Sequence, residues 1–255
     1  EPRLPPRLQP YYRRDGLFEF NPARHDFGTK QFMGHTIAGS GYGEVNQALD
    51  LIAGSPATAR HVSTRLATWF MGDNPPPAVI DRMVAAWQKS HGDIARVVAA
   101  MMAAPDYGRT LGQAFKDPLH YVVSSVRYTY GDRVILNADP MLGWLRRMGE
   151  GLYDHETPDG YPLGAGAWTG PGQMAVRFEI ARAIGSGAAG LFHIPGAGPG
   201  VPPVDQPAFP QLQNAVWYGG LAAAMSPQTR AVLDQATSPQ EWNMLLLASP
   251  EFMRR

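Results

Sequence analysis

The most restrictive feature of this chain is a recurring pair: a residue that favours the N-cap of a helix, followed at once by proline. Proline fixes φ at the first helical position and needs no hydrogen-bond partner there, so the pair is typical of a helix start. It occurs at Ser55-Pro56, Asp117-Pro118, Asp139-Pro140, Ser226-Pro227 and Ser238-Pro239. These pairs predict five helices, and Glu241 completes a capping box after Ser238.

Apolar residues at helical spacing follow these pairs and also occur between them. After Pro56 the stripe is Ala59, Val62, Leu66, Trp69 and Phe70. The same spacing predicts helices over residues 79–87, 94–102, 172–184 and 212–225, the last interrupted by Gly219-Gly220. The sequence therefore predicts a mainly α protein, a multi-helix globular array.

Two segments depart from the helical pattern. Residues 17–20 alternate like a strand, and residues 29–33 could return antiparallel to them, which predicts one short β-hairpin near the N-terminus. Residues 194–210 are so rich in proline and glycine that we expect a surface loop.

Composition excludes several functional classes. The chain has no cysteine, which removes disulfides, thiolate nucleophiles and cysteine-bound zinc. Lys plus Arg and Asp plus Glu number 22 each, so no excess of positive charge favours nucleic acid. No apolar stretch is long enough to span a bilayer. We expect a protein that neither spans a membrane nor binds nucleic acid.

The N-terminal segment differs from the rest of the chain. Residues 1–16 begin with a stretch rich in proline and arginine and lack an initiating methionine. We interpret them as a linker or a cut end, followed by a single helical domain over residues 17–255. The chain is thus expected to be part of a longer protein.

The first candidate site is the polar segment within the predicted hairpin. His25 and Asp26 are candidate catalytic residues, because imidazole titrates near neutrality and a carboxylate can orient it. His25 and His35 could meet across the hairpin as ligands of a divalent metal, and Arg24 and Lys30 are candidate ligand-binding residues. The alternative is structural: Asp26 caps a turn, Arg24 pairs with a carboxylate, and His25 fills a polar niche.

The second candidate site runs from Asp154 to Trp168. Asp159 lies in a Pro-Asp-Gly turn, while Tyr161 and Trp168 could form a platform for a sugar or another flat ligand. All three are candidate ligand-binding residues, although turn chemistry explains most of the segment. The remaining histidines, including His120, are predicted to be solvated or peripheral.

Five separated motifs occur in one order and carry a family resemblance. They are Arg24-His25-Asp26-Phe27-Gly28-Thr29-Lys30, Pro56-Ala57-Thr58-Ala59-Arg60, Lys116-Asp117-Pro118, Pro158-Asp159-Gly160-Tyr161-Pro162 and Ser249-Pro250-Glu251-Phe252. From about Leu17 to its end the chain resembles the bacterial domain-of-unknown-function family eighteen hundred (DUF1800). The resemblance identifies it with the C-terminal half of such proteins.

The resemblance implies an exported protein, periplasmic or extracellular. Family members have a helical N-terminal half behind a signal peptide. They are often encoded beside a second exported protein that is similar to the alkaline-phosphatase superfamily. The implied partners are therefore the missing N-terminal half of the same protein and that co-encoded protein.

Two functional hypotheses follow. The leading one is an accessory or scaffold protein that binds a partner protein or a cell-envelope ligand through the hairpin loop and the segment from Tyr161 to Trp168. The alternative is a metal-assisted hydrolase of envelope or extracellular polymer, with His25, Asp26 and His35, joined by Asp159, as metal ligands or acid–base groups. Whether the chain is an enzyme stays open at this point.

Overall fold

Helices dominate residues 3–196 and 209–255, the part of the chain that the structure, a computed structural model, describes. The α-helices are α1 Gly43–Gly54, α2 Pro56–Met71, α3 Pro77–Ser90, α4 Ile94–Met102, α5 Tyr107–Thr110, α6 Pro118–Tyr130, α7 Asp139–Arg147, α8 Pro171–Gly185, α9 Ala222–Ala224, α10 Pro227–Asp234 and α11 Pro239–Leu247. Short 3₁₀ segments lie at Gln9–Tyr11, Pro22–Arg24 and Ala165–Ala167, and Trp217–Leu221 is π-helical. The prediction of a mainly α protein is confirmed.

The strands form two hairpins near the N-terminus instead of one. Strand β1 (Arg13–Asp15) pairs antiparallel with β2 (Phe18–Phe20), and β3 (Lys30–Phe32) pairs with β4 (His35–Ile37). The predicted pairing of residues 17–20 with 29–33 is therefore wrong, since each strand has a closer partner across a two-residue turn. Met33 and Gly34 both have positive φ, as such a tight turn requires. The end of the predicted linker thus forms β1.

Most of the predicted helix starts are confirmed by their hydrogen bonds. The side chains of Asp117, Ser226 and Ser238 each accept a bond from an amide in the first turn that follows, and Asp93 does the same before the helix predicted over 94–102. Helix α7 differs: it begins at Asp139, one residue early, and the side chain of Asn137 accepts from the Asp139 N–H. In the capping box Glu241 bonds to the amide of Thr237 rather than to that of Ser238.

The chain divides into two compact units. The first comprises the residues up to Leu66 and Pro76–Ala104, and the second Ala67–Pro75 and Pro105–Arg255. In the first unit α3 packs against α4, and Val79, Met83, Val97 and Met101 on these two helices are buried. The prediction of a single domain over residues 17–255 stays a prediction, because two compact units can also fold as one.

The second unit has the larger core, in which α8 packs closely against α6, α7 and α11. Its fully buried side chains include Tyr121, Val122, Met148, Ile180, Ile184, Leu246 and Leu247. Gly185 permits the contact of α8 with α11, because a Cβ there would lie 3.0 Å from the Met244 nitrogen.

The remaining predictions about the chain meet the structure only in part. The interruption predicted at Gly219-Gly220 lies within the π-helical segment, where Gly220 leaves the helical region. Most of the loop predicted over residues 194–210 lies outside the described residues. In the described part of the chain, no helix is long and apolar enough to cross a membrane.

Candidate functional site

Glu44 organises the polar residues of the first unit. It lies in the first turn of α1, is 5% exposed, and receives hydrogen bonds from the amides of Ser40 (2.7 Å) and Gly41 (2.8 Å). The His25 Nε2 lies 2.9 Å from Glu44 Oε1, and the Lys30 Nζ 2.7 Å from Oε2. These five residues form what we call the Glu44 network.

Each partner of Glu44 is placed by its own local structure. His25 directly follows the 3₁₀ segment Pro22–Arg24, which is capped by the side chain of Asn21, and this segment fixes the position of His25. The side chain of Asp26 accepts a 2.7 Å bond from the Gly28 amide, which turns the chain so that Lys30 can reach back. The ring of His25 packs edge-on against Phe27, with the centroids 4.9 Å apart.

The charges in this network favour an ionised carboxylate. The bonds from Lys30 and then His25 lower the pKa of Glu44 to about 2, despite its burial. An ionised Glu44 can only accept, so the Nε2 of His25 donates to it. That nitrogen is therefore not available to take a proton from a substrate or to bind a metal.

The glycine-rich segment before α1 serves the same network. A Cβ on Gly39 would lie 1.6 Å from the Phe27 carbonyl oxygen, and Gly41 has a φ of +81°. The two backbones can approach this closely only because Gly39 lacks a side chain. The approach presents the amides of Ser40 and Gly41 to Glu44.

The other candidates of the first site stand apart from Glu44. His35 is exposed at the start of β4, opposite Phe32, and takes no part in the Glu44 network. Arg24 is exposed and does not form the predicted ion pair with a carboxylate of the described chain. Among the described residues, no three His, Asp or Glu side chains are grouped as a metal site. The catalytic and metal-binding roles of these residues stay predictions.

The second candidate segment forms one side of an open cavity of about 570 Å³ in the second unit. The ring of His155 packs at a tilt against that of Tyr161, with the centroids 4.6 Å apart, and its Nε2 lies 3.3 Å from the carboxylate of Asp159. A bond from Thr157, and then the bond from His155, lower the pKa of Asp159. The hydroxyl of Tyr161 donates to the Gly151 carbonyl, which closes the segment into a loop.

Trp168 is buried beneath this loop and is bonded to its backbone. It is 3% exposed, and its indole N–H donates to the Pro162 carbonyl oxygen at 3.0 Å. Tyr161 lies 6.3 Å from it, centroid to centroid. Tyr161 lines the cavity, and Asp159 is linked to it through His155 without lining the cavity itself. Trp168 is buried, so the indole presents no open face to a ligand.

A buried polar cluster lies at the start of α6, and it was not predicted from the sequence. We call it the α6 cluster; it consists of Lys116, Asp117, His120, Glu150 and Arg177. All but His120 are buried, and Arg177 is fully inaccessible. Asp117 caps α6 and accepts a 2.7 Å bond from His120 Nδ1, so His120 is part of a polar pair rather than simply solvated.

The cations of the α6 cluster lie against aromatic rings. The guanidinium of Arg177 is 4.8 Å from the ring centroid of Phe115 and 4.7 Å from that of Tyr121, and it donates to the Lys116 carbonyl at 2.8 Å. The Lys116 ammonium is 4.1 Å from the centre of the Phe252 ring. Such contacts offset part of the cost of burying a cation.

Burial shifts the titration of this cluster. It raises the pKa of Glu150 to about 7, aided by the charge of Asp117, although the carboxylate accepts a bond from the Leu119 amide. It lowers the pKa of Lys116 to about 8, together with repulsion from Arg177 and Arg255. Burial would raise the pKa of Asp117, but the bonds from His120 outweigh it and lower that pKa.

One sequence signal could have revealed the α6 cluster. Arg177 occupies the helical spacing of Met174, Ile180, Ala181 and Ile184, so it lies on the buried face of α8. A charged residue within an apolar stripe predicts a buried cation that needs partners. The motif Lys116-Asp117-Pro118 supplies two of the residues around it.

Comparison with known proteins gives a family and nothing beyond it. No curated protein and no solved structure matches the chain. The family model described as protein of unknown function (DUF1800) matches residues 7–254. The match extends over nearly the whole chain, and this broader statement replaces the finer prediction of a C-terminal half. The predicted family is confirmed: the chain belongs to DUF1800.

Proposed function

We propose that this chain is an accessory protein that binds a partner protein, and that the first unit carries the contact surface. The observation that carries the proposal is the arrangement of side chains in that unit. Two of the candidate functional side chains in that unit, His25 and Lys30, turn inward onto Glu44, while several large apolar side chains face the solvent. A unit in which the candidate histidine and lysine are bonded to a buried carboxylate, and in which large apolar groups are exposed, is suited to binding rather than to acid–base chemistry.

The inward side of this arrangement involves the residues predicted to be catalytic. His25 donates to Glu44, Asp26 is bonded to the Gly28 amide, and Lys30 pairs with Glu44. A general base needs a free lone pair within reach of a substrate proton. The observed bonds occupy the Nε2 of His25 and stabilise the turn at Asp26. They support the structural alternative, in which Asp26 caps a turn and His25 fills a polar niche.

The outward side consists of apolar residues at the hairpin turns and along α1. Leu17 and Met33 lie at the two turns, Leu17 fully exposed and Met33 54% exposed. Val45, Leu49 and Ile52 are also exposed and recur at i, i+4 and i+7, so they share one face of α1. Leaving such side chains in water forgoes burial energy of roughly 1.5–3 kcal/mol each, which a bound partner would recover.

The partner and the compartment in this proposal rest on the family resemblance. We propose that the chain is exported to the periplasm or outside the cell. Its partner there is the co-encoded protein that is similar to the alkaline-phosphatase superfamily, since the two are often encoded side by side. A cell-envelope ligand at the cavity lined by His155 and Tyr161 is compatible with the same accessory role. The metal-assisted hydrolase gains no comparable support, because His25 and Asp26 are already engaged.

Measured affinity for the purified co-encoded protein tests this proposal. Calorimetry would compare the unaltered chain with Leu17→Ser, Met33→Ser and Leu49→Ser. Each substitution removes an exposed apolar contact without touching the Glu44 network. We expect the dissociation constant of each of these variants to be at least tenfold higher than that of the unaltered chain, in line with the burial energy of one such side chain.

A matched control is available in the second unit. Leu111 is 58% exposed and Leu49 is 56% exposed, so Leu111→Ser removes the same side chain from an equally open position. Its affinity should equal that of the unaltered chain. Absence of binding, or equal losses for Leu49→Ser and Leu111→Ser, would overturn the proposal.

A further inference from the structure

We propose that a groove of the second unit, between α8, α10 and α11, binds a single uncharged aliphatic chain such as the hydrocarbon tail of a lipid. The groove encloses about 390 Å³. Its apolar lining comes from all three helices and includes Phe178, Val232, Leu233, Met244, Leu245 and Ala248. This site is separate from the contact surface of the first unit and does not depend on it.

The chemistry of the lining selects an apolar occupant. None of the side chains that line the groove is ionisable. The two hydroxyl groups are already engaged: Thr229 donates to Glu251 at 2.8 Å, and Ser249 accepts from the Phe252 amide at 3.2 Å. An ionic group placed in the groove would lose its hydration and meet no counter-charge. Among the ten described residues that line the groove, Gln228 is the exposed polar side chain that could contact a polar head group at the edge.

The rim of the groove gains from being covered. Phe178 on α8 and Val232 on α10 are each 47% exposed, although both are large apolar residues. Leu233, also in the lining, is buried. The groove thus joins the core at its base and ends in two half-exposed apolar side chains, and an aliphatic chain laid along it would remove both from water.

The size of the groove favours a small ligand over a protein. Ten residues line it, whereas a stable protein interface uses about 20–30 residues on each side. Its volume falls within the range of roughly 300–1,000 Å³ that is usual for small-molecule sites. A single chain fits this opening, and a folded partner would need a wider surface.

The walls of the groove are held in place before any ligand binds. The carboxylate of Glu251 accepts bonds from the Ser226 amide at 3.0 Å and from Thr229, which anchors the start of α10. Helices α8 and α11 are fixed by their close approach at Gly185. Little ordering is then required on binding, and this preserves affinity.

Fluorescence of the neutral dye Nile red tests the proposal on the whole chain. The dye would be titrated to saturation and then displaced with dodecan-1-ol, an uncharged aliphatic chain. We expect one saturable site and complete displacement. Val232→Asp, which places a charge on the rim at a half-exposed position, should raise the dissociation constant for the alcohol at least tenfold.

Val134→Asp is the matched control, because Val134 is exposed in the same unit and lies outside the groove. It should bind like the unaltered chain; Phe178→Ser provides a second rim variant if Val232→Asp fails to fold. The proposal is overturned if no saturable site is found, or if both Asp variants lose affinity equally. It is also overturned if dodecanoate binds more tightly than dodecan-1-ol, or if sedimentation shows a dimer that Val232→Asp dissociates.

Discussion

Two buried glutamates, one in each unit, have pKa values that are shifted in opposite directions from the ordinary value. Glu44 of the first unit has a pKa of about 2, and Glu150 of the second has a pKa of about 7. Both carboxylates are nearly inaccessible and both accept backbone amide bonds at a helix start. Burial alone therefore does not decide the direction of the shift.

The partners of each carboxylate make the difference. Glu44 meets Lys30 and His25, whose bonds stabilise its charge. Glu150 has the Leu119 amide and, nearby, the like charge of Asp117. One carboxylate acts as a charged cross-link, while the other is only partly ionised near neutral pH. Each unit can be tested separately for this contrast.

The largest effect should come from removing the close backbone approach that completes the Glu44 network. Gly39→Ala would bring a Cβ within 1.6 Å of the Phe27 carbonyl oxygen, so the segment must move and withdraw the Ser40 and Gly41 amides. We expect a loss of on the order of 4 kcal/mol in the free energy of unfolding of the first unit. Urea titration followed by hydrogen exchange of residues 38–46 would measure it.

Gly54→Ala is the control for that substitution, because a Cβ at Gly54 meets open space at the end of α1. It should be neutral or stabilising by up to about 1 kcal/mol. A Gly39→Ala variant with unchanged amide protection would mean that the close approach contributes nothing to stability.

The next effect concerns the charge of Glu44 itself. Its folded pKa lies below the ordinary value of 4.5, so its stabilising contribution is present above pH 4.5 and is lost as the pH falls toward 2. Glu44→Gln should lower the stability of the first unit at pH 7 and flatten this acid limb. Amide exchange at Ser40 and Gly41 between pH 3 and pH 7 would show both effects.

Glu19→Gln is a suitable comparison, since Glu19 is an exposed carboxylate on β2 of the same unit. It should leave the acid limb as it is in the unaltered chain. If Glu44→Gln also keeps that limb, the acid sensitivity has another source and the ion pairs of Glu44 are not its cause.

The contrast between the two units also explains what the sequence could predict. Helix starts such as Ser226-Pro227 are local, since the cap and the proline act within one turn, and these were predicted correctly. The Glu44 network depends on residues from His25 to Glu44, and no local pattern marks Glu44 as the partner. Helix α1 was not predicted: it lacks a capping side chain, and its start follows a glycine-rich segment. Its apolar residues Val45, Leu49 and Ile52 are turned to solvent instead of to the core.

The predicted strand pairing was wrong for a related reason. Alternation identified strand-forming residues but not their partners, and the turns at Gly16 and Met33-Gly34 close each pair locally. The α6 cluster joins residues up to 61 positions apart, such as Arg177 and Lys116. Long-range contacts of this kind are set by packing of α6 against α8, which no short motif specifies.

Glu150 should respond with the opposite sign to Glu44. Its folded pKa lies above the ordinary value of 4.5, so its contribution is present below pH 4.5 and is lost as the pH rises through 7. At about 1.4 kcal/mol per pKa unit, reduced for solvent screening, the loss amounts to roughly 2 kcal/mol. Glu150→Gln should remove this loss and stabilise the second unit at pH 7.5, as measured by urea unfolding between pH 5 and pH 7.5.

The measurement stops at pH 7.5 because the pKa of Lys116 is about 8. Deprotonation of Lys116 would make the stability rise with pH above about 8. Glu156→Gln, on an exposed position of the neighbouring loop, should have no effect. A Glu150→Gln variant that is less stable than the unaltered chain at pH 7.5 would show that the ionised carboxylate is favourable, and the contrast with Glu44 would disappear.

The smallest effect is expected from metal removal. In the Glu44 network the Nε2 of His25 donates to an ionised carboxylate, so this site is already neutralised by Lys30 and has no vacancy for a cation. Treatment with a chelator should therefore leave the unfolding midpoint of the first unit unchanged, and His25→Gln, which keeps an N–H donor for Glu44, should lose less stability than His25→Ala. Elemental analysis that finds one divalent metal per chain, with a chelator-induced drop in the midpoint that His25→Gln abolishes, would contradict this. Glu44 would then be charged because it binds a metal, and the difference between the two glutamates would arise from a cofactor rather than from neighbouring side chains.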